Sequence, residues 1–368
     1  MSEFFIGLMS GTSADGIDAA LVEFTPAPRL HASRFLAYPP LLRERILQLA
    51  SASQSSDALE AAGALDTELG REFARAALEL LQQASLPAAR VRAIGSHGQT
   101  VRHRPGGAHP FSMQIGDPNL IAAHTGISVV ADFRRRDLAL GGQGAPLVPA
   151  FHRAVFGDAG EHRAVVNIGG IANVTLLPAG SGEVTGFDTG PGNVLLDAWS
   201  ARQFGAAHDE AGAQAAAGRV DAALLHVLLA DEYFALAPPK STGREHFNPD
   251  WLERHLRGRK LAPQDVMATL AELTAHSILD AILHHAVHTA RVLVCGGGVH
   301  NRHLMQRLGS LFGEARVEST ERHGIHPDWV EAMAFAWLAR ETLAGRPGNL
   351  PSVTGASRAS VLGAIYPA

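Results

Sequence analysis

Residues 4–24 read FFIGLMSGTSADGIDAALVEF, and residues 164–177 read AVVNIGGIANVTLL. Each is an apolar strand, a turn of small and polar residues, and a second apolar strand: Phe4 to Met9 and Ala19 to Phe24 about the first turn, Ala164 to Leu177 about the second. Outward from each hairpin the same order of elements follows. After the first, Leu59, Ala62, Leu65, Leu69, Phe73, Ala76 and Leu80 form a helical stripe that opens at Asp57-x-x-Glu60 and stops at Pro87. A strand from Val91 to Gly95 then runs into the polar loop SHGQT. After the second come GFDTGPGN at 186–193 and the irregular PPKSTGREHFNPD at 238–250. A helix bearing Val266, Leu270, Leu273, Ile278 and Ile282, the strand VLVC and the loop GGGVHN follow. A helix (His303 to Phe312), a strand (Ala315 to Glu318) and a helix from Asp328 to Leu343 complete the chain. This order, and not shared letters, predicts an α/β protein of two related lobes. Their expected extents are 1–135 plus about 345–368, and 136–344, with the charged, glycine-rich stretch 129–147 as the crossing.

The length of 368 residues suits two domains. A formal charge of −5, with lysine only at Lys240 and Lys260, provides no basic field and argues against nucleic acid as a partner. Cys295 is the single cysteine, which excludes an internal disulfide. The N-terminus lacks the basic region of a signal peptide, and no stretch reads as a membrane span, so a cytoplasmic location is expected.

Glycine-rich turns bind phosphate because backbone N–H groups converge on an anion with no side chain in the way. Gly11-Thr12-Ser13-Ala14-Asp15-Gly16 has that composition, but Ile17-Asp18 stands where a P-loop needs Lys-Ser/Thr. Asp15 and Asp18 would repel phosphate unless a cation bridges them, which points to hydrated Mg²⁺. Asn167, Gly169, Gly170 and Asn173 form a second loop of the same kind, although a bulged hairpin would give similar letters. The third loop, with Gly296, Gly297, Gly298 and Asn301, imitates a dinucleotide fingerprint down to an acid at Glu318. Asn301 departs from that pattern, and a dehydrogenase would leave the two hairpin loops without a role. Asp188, presented by the stiff Thr189-Gly190-Pro191-Gly192-Asn193 turn, suits a general base. An Asx turn would explain it equally well. His97 and Gln99 lie at a strand end where sugar hydroxyls could be read. His284 and His288 sit at zinc-like spacing without the glutamate of a zinc protease, Arg134 opens a short basic run, and Glu331 completes a capping box with Asp328.

Seven ordered stretches together resemble the anhydro-N-acetylmuramic acid kinase family: GTSADGID (11–18), HGQT (97–100), GGQGAPLVP (141–149), NIGGIANVT (167–175), FDTGPGN (187–193), PKSTGREHFN (239–248) and CGGGVHN (295–301). The resemblance implies a two-lobed actin-like, ribonuclease H-like ATPase fold with a mixed sheet in each lobe and an active-site cleft between them. It implies ATP and Mg²⁺ as cofactors, an amino sugar as substrate and a homodimer. By the same resemblance Asp188 is the catalytic base, the loop from Gly11 to Asp18 is the first phosphate motif, and Asn167 to Asn173 is the second. Gly190, Gly192 and Asn193 adjoin them, and Gly296 to Asn301 holds adenosine. Arg134 and Glu331 fall in matched stretches and join His97 and Gln99 as sugar contacts.

Overall fold

Three strands rich in apolar residues open the chain: β1 (Glu3–Ser10), β2 (Gly16–Phe24) and β3 (Pro28–Ala37). They pair antiparallel, with Leu8 opposite Ala19 and Ala20 opposite Ser33. The computed structural model of the chain describes residues 3–25, 27–51 and 57–368. It forms two compact units, Met1–Phe151 with Trp329–Ala368, and His152–Asp328. In the first, β4 (Val91–Arg104) returns parallel to β1 after the helix Ala58–Gln83, as a parallel pairing requires a crossover. β5 (Phe111–Ile115) folds back on β4, and β6 (Val129–Ala131) lies parallel to β4. Leu65, Leu69, Phe73 and Leu80 of the helix meet Ile6, Leu8, Leu21 and Ile94 of the sheet in one core.

The second unit repeats the plan. β7 (Arg163–Ile168), β8 (Ile171–Leu177) and β9 (Thr185–Pro191) are antiparallel neighbours, and β10 (Arg291–Cys295) and β11 (Arg316–Ser319) add in parallel. Val166, Val174, Phe187 and Val292 pack with Ile278 and Ile282 of the helix Pro263–His285. The strand order is β3-β2-β1-β4-β6 in one sheet and β9-β8-β7-β10-β11 in the other. Three antiparallel strands followed by two parallel ones, with a helix between the third and fourth, is the ribonuclease H-like arrangement. Its duplication is the actin-like ATPase fold. β12 (Ala364–Tyr366) pairs antiparallel with β6 at the edge of the first sheet.

Several boundaries differ from the sequence reading. The helix expected from Asp328 begins at Val330 and belongs to the first unit, where it packs on β1 and β4. Gly7 and Gly95 sit opposite each other under it. A Cβ on either would lie 1.7 Å from Ala332 O or 2.0 Å from Phe335 O, so only glycine lets the helix lie so close. Asp328 makes no capping box: the helix has no side-chain N-cap, and Asp328 instead accepts from His300 Nε2 at 2.8 Å. The apolar run in Pro263–His285 is also longer than expected. Among the described residues this helix is long and apolar enough to cross a membrane, and it is mostly buried.

Candidate functional site

In the first unit, the turn between β1 and β2 carries Ala14 in the left-handed region (φ 51°), with Ala14 N–H donating to Gly11 O at 3.2 Å. Ala14 and Ile17 are buried and anchor the turn in the core, while Thr12 and Asp15 are exposed. A Cβ on Gly11 would find only Ser13 Oγ, at 3.8 Å, so its backbone is open to a ligand. The base of the loop is clamped. Ser10 Oγ lies 2.7 Å from both Gly16 O and Gln99 Oε1 and accepts from Tyr38 Oη at 3.1 Å. Gln99 Nε2 donates to Gly11 O at 3.0 Å. The Gln99 amide is therefore buried and bonded at both ends to the base of this turn, through Ser10 Oγ and Gly11 O, which makes it a clamp of the turn.

His97, Arg134 and Glu331 do come together within this unit. The buried His97 ring donates from Nδ1 to Gly98 O at 2.8 Å and accepts at Nε2 from Arg134 Nη2 at 2.8 Å. Burial and the guanidinium push the imidazole down to about 3, so it stays neutral. Arg134 Nη1 donates to Gly144 O at 2.8 Å, whereas its buried Nε has no partner among the described residues. Burial lowers the guanidinium to about 10, and Glu331 and Asp137 oppose that shift. Asp137 anchors the surrounding loop by accepting from Gly144 N, Asn349 Nδ2 and Thr354 Oγ1 at 2.7–2.8 Å. The rest of the basic run is separate, Arg135 pairing with Asp132 at 2.8 Å.

In the second unit, register places Cys295, Asn167, Asn173 and Asp188 in one row across β10, β7, β8 and β9. Residues directly opposite point to the same face. Neighbouring Ile168, Ala172 and Phe187 point the other way, into the core. Asp188 Oδ2 accepts from Thr242 N–H at 3.0 Å, and among the described residues Oδ1 has no donor. Burial raises the carboxyl to about 6, Thr242 N–H opposing and Glu245 assisting. The Asp188 main chain is fixed as well, its carbonyl accepting from Tyr233 Oη at 2.7 Å and its N–H donating to Lys240 O at 3.3 Å. Tyr233 lies in a four-residue helix outside every quoted stretch, and Thr242 and Glu245 fall in the aperiodic PKSTGREHFN, which the sequence reading quotes without a role for either residue.

The other two glycine loops pack on each other. Cβ atoms on Gly296 and Gly298 would fall 2.2 Å from Asn167 Oδ1 and 2.3 Å from Ile168 Cγ2, whereas Gly297 is exposed and near only Asn193 Nδ2. Asn193 is itself a pin: its N–H donates to Gly169 O at 2.8 Å and its Nδ2 to Ile168 O at 3.2 Å. Gly190 is needed where Phe234 crowds it, and Gly192 where Gly169 O would sit 2.3 Å from a Cβ. Asn301 caps the helix Arg302–Phe312 by accepting from Leu304 N at 2.9 Å, so its carboxamide oxygen is committed to structure.

Asp15 and Asp18 were expected at a metal. Asp15 is paired with Arg43 at 3.1 Å, and Asp18 is half-buried in β2 opposite Met9. Among the described residues no group of three or more His, Cys, Asp or Glu could enclose an ion. That donor set does not suit an all-protein cage but fits Mg²⁺, which commonly takes one or two carboxylates and keeps water and phosphate as its other ligands.

A family model described as anhydro-N-acetylmuramic acid kinase matches residues 3–368. A protein of that name from Xanthomonas campestris pv. campestris (strain 8004) is 55% identical over 371 residues, covering 100% of this chain and 98% of its own. One from Coxiella burnetii (strain Dugway 5J108-111) is 52% identical over 365 residues, covering 99% and 97%. Among solved structures, a ROK family glucokinase from Streptomyces griseus in complex with glucose and AMPPNP aligns at a TM-score of 0.41 with 15% identity, covering 92% of this chain and 99% of its own. That last likeness is too distant to bear on the site.

Proposed function

Because the chain belongs to the anhydro-N-acetylmuramic acid kinase family, we propose that Asp188 directs water at the anomeric carbon of 1,6-anhydro-N-acetylmuramic acid while O6 accepts the γ-phosphoryl group of ATP. As a member, the protein is an enzyme, a sugar kinase of peptidoglycan recycling whose substrates are an amino sugar and ATP.

One observation carries the reading: Asp188 is a half-buried carboxylate raised to about 6, fastened through Oδ2 to a backbone N–H and open at Oδ1. A base near neutrality whose second oxygen is fixed can take a proton without reorienting, an effect usually worth about 10²–10⁴ in rate. Oδ1 accepts a proton from water as the water oxygen bonds to C1 and the C1–O6 bond breaks. The electron pair leaves on O6, which bonds to the γ-phosphorus as the bond to the ADP oxygen breaks. The products are N-acetylmuramic acid 6-phosphate and ADP, and Asp188 returns its proton to solvent.

The backbone of Gly11–Gly16 and of Gly169–Gly170 is assigned to phosphate, and the exposed Gly297 to the adenosine end. Arg134, kept charged beside neutral His97, is assigned to the lactyl carboxylate, with Glu331 at the sugar hydroxyls. Asp18 is the residue assigned to Mg²⁺, which when bound neutralises phosphate charge. We place the enzyme in the cytoplasm, where ATP is available, as a homodimer; light scattering that gives the mass of one chain, 38.8 kDa, would contradict the dimer.

Asp188→Asn tests the central assignment. Turnover should fall about 10²–10⁴-fold while the ADP dissociation constant, measured by calorimetry, stays within about threefold of wild type. Turnover near the wild-type rate would remove Asp188 from the role.

A further inference from the structure

A kinase loop without the P-loop lysine leaves open which cation meets the phosphoryl group. Lys240, the lysine nearest Asp188 in the fold, is occupied: its Nζ donates to Tyr233 O and Phe234 O at 3.3 and 3.2 Å and stands 4.8 Å over the Tyr233 ring. Arg244 is different. Its Nη2 lies 3.8 Å from the point a Cβ on Gly170 would occupy, so the guanidinium hangs over the bare backbone of the second glycine loop. Arg244 is exposed, and among the described residues its guanidinium has neither a hydrogen bond nor an ion pair. Other arginines of this unit, Arg163, Arg291 and Arg307, are engaged with Glu161, Glu318 or Glu272.

The turn that presents Arg244 is pinned on both sides. Before it, Thr242 N–H holds Asp188 Oδ2 at 3.0 Å. After it, the N–H groups of His246 and Phe247 both donate to Gly243 O at 3.1 Å, Phe247 is fully buried, and His246 Nε2 and Trp251 Nε1 share the Asp231 carboxylate at 2.8–3.1 Å. One short segment therefore touches the base at Thr242 and overhangs the phosphate loop at Arg244.

We propose that Arg244 is the catalytic cation of the second phosphate loop, hydrogen-bonding the oxygens of the phosphoryl group as it passes from ADP to O6. The proposal rests on the assignment of Gly169–Gly170 to phosphate made above. It adds no bond change to the reaction. A planar guanidinium can bind two phosphoryl oxygens at once, a geometry that lysine lacks. Arginines placed in this way supply about 10³–10⁵ in phosphoryl transfer.

The test compares wild type, Arg244→Ala, Arg244→Lys and Asp188→Asn, each with a melting curve to show that it is folded. The expected result for Arg244→Ala is a kcat about 10²–10⁴-fold lower with the KM for sugar within about threefold, partly restored by millimolar guanidinium ion. Arg244→Lys should recover only part of the rate. Calorimetry supplies a readout free of turnover: ADP alone should bind Arg244→Ala and wild type equally, and the tightening that aluminium fluoride adds should be lost in the variant. A kcat within threefold of wild type, or an unchanged aluminium fluoride effect, overturns the proposal. If wild type itself binds no ADP, or Asp188→Asn keeps full activity, it is the underlying reading that fails.

Discussion

Asp188 is a carboxyl whose neighbours disagree about its charge. Burial and Glu245 favour the protonated form, and the Thr242 amide favours the ionised one; the balance falls at about 6. In the proposed role of base it works only when ionised, so kcat/KM should rise with pH through about 6 and then level. Glu245→Gln removes a raising influence, and the acid limb should move to lower pH; an unmoved limb would assign it to another group. The same imbalance has a sign for stability. A folded carboxyl raised above its unfolded value binds its proton more tightly, so its contribution to stability grows as pH falls through about 6 toward the ordinary carboxylate range and is absent at higher pH. Asp188→Asn, which cannot ionise, should melt no lower than wild type at pH 8, as expected of a functional group retained at some cost to the fold. Asp188 was legible in the sequence because FDTGPGN sets an acid between an apolar residue and a stiff turn. Gln99 was legible only as a polar residue at a strand end. Its partners Ser10 and Gly11, at the end of β1 and the start of its turn, are 89 and 88 residues away, so nothing local distinguishes a loop clamp from a sugar contact.

At the scale of elements, both hairpins announce themselves, and their third strands do not. β3 is an edge strand with mostly exposed or half-buried residues, so PRLHASRFLA lacks clean alternation. β9 runs through residues 189–191 of the stiff turn read from the sequence, and its glycines at 186 and 190 mask it as a loop. The segment 238–248 has no period at all, so its letters could be quoted from the sequence while the bond from Thr242 to Asp188 and the position of Arg244 over Gly170 came only from the fold. The proposed phosphate loop of the first unit depends on elements that the hairpin reading does not contain: Gln99 from β4 and Tyr38 just past β3. Gln99→Leu would remove one hydrogen bond from Ser10 Oγ, which keeps Gly16 O and Tyr38 Oη, and one from Gly11 O, which keeps the Ala14 N–H, a combined loss of about 1–3 kcal/mol. A denaturation midpoint should show that loss, and the KM for ATP should rise while the KM for sugar stays near wild type. An equal rise in both would place Gln99 at the sugar after all.

Across the whole molecule, the duplication is visible in the order of elements but not in the letters. SGTSADGID and NIGGIAN share little beyond small residues, yet each joins the first two strands of a sheet with the same order and directions. Order survives where identity does not because a hairpin, crossover helix and parallel strand need only an apolar pattern. The lobe boundary was harder to read, since the helix Val330–Leu343 follows the second unit in sequence and packs on the first through Gly7 and Gly95. With a net charge of −5 there is no basic field to collect phosphate, in keeping with the proposed local contacts through backbone N–H groups and Arg244. The claim that joins all of this is that water opens the anhydro bridge and O6 takes the phosphate. Turnover in H₂¹⁸O, with the product read by mass spectrometry before the anomeric oxygen exchanges, tests it most directly. The account predicts a ring-opened sugar 6-phosphate with one ¹⁸O at C1 and none in the phosphate; an unlabelled product that keeps its bridge and carries phosphate on another hydroxyl would contradict it.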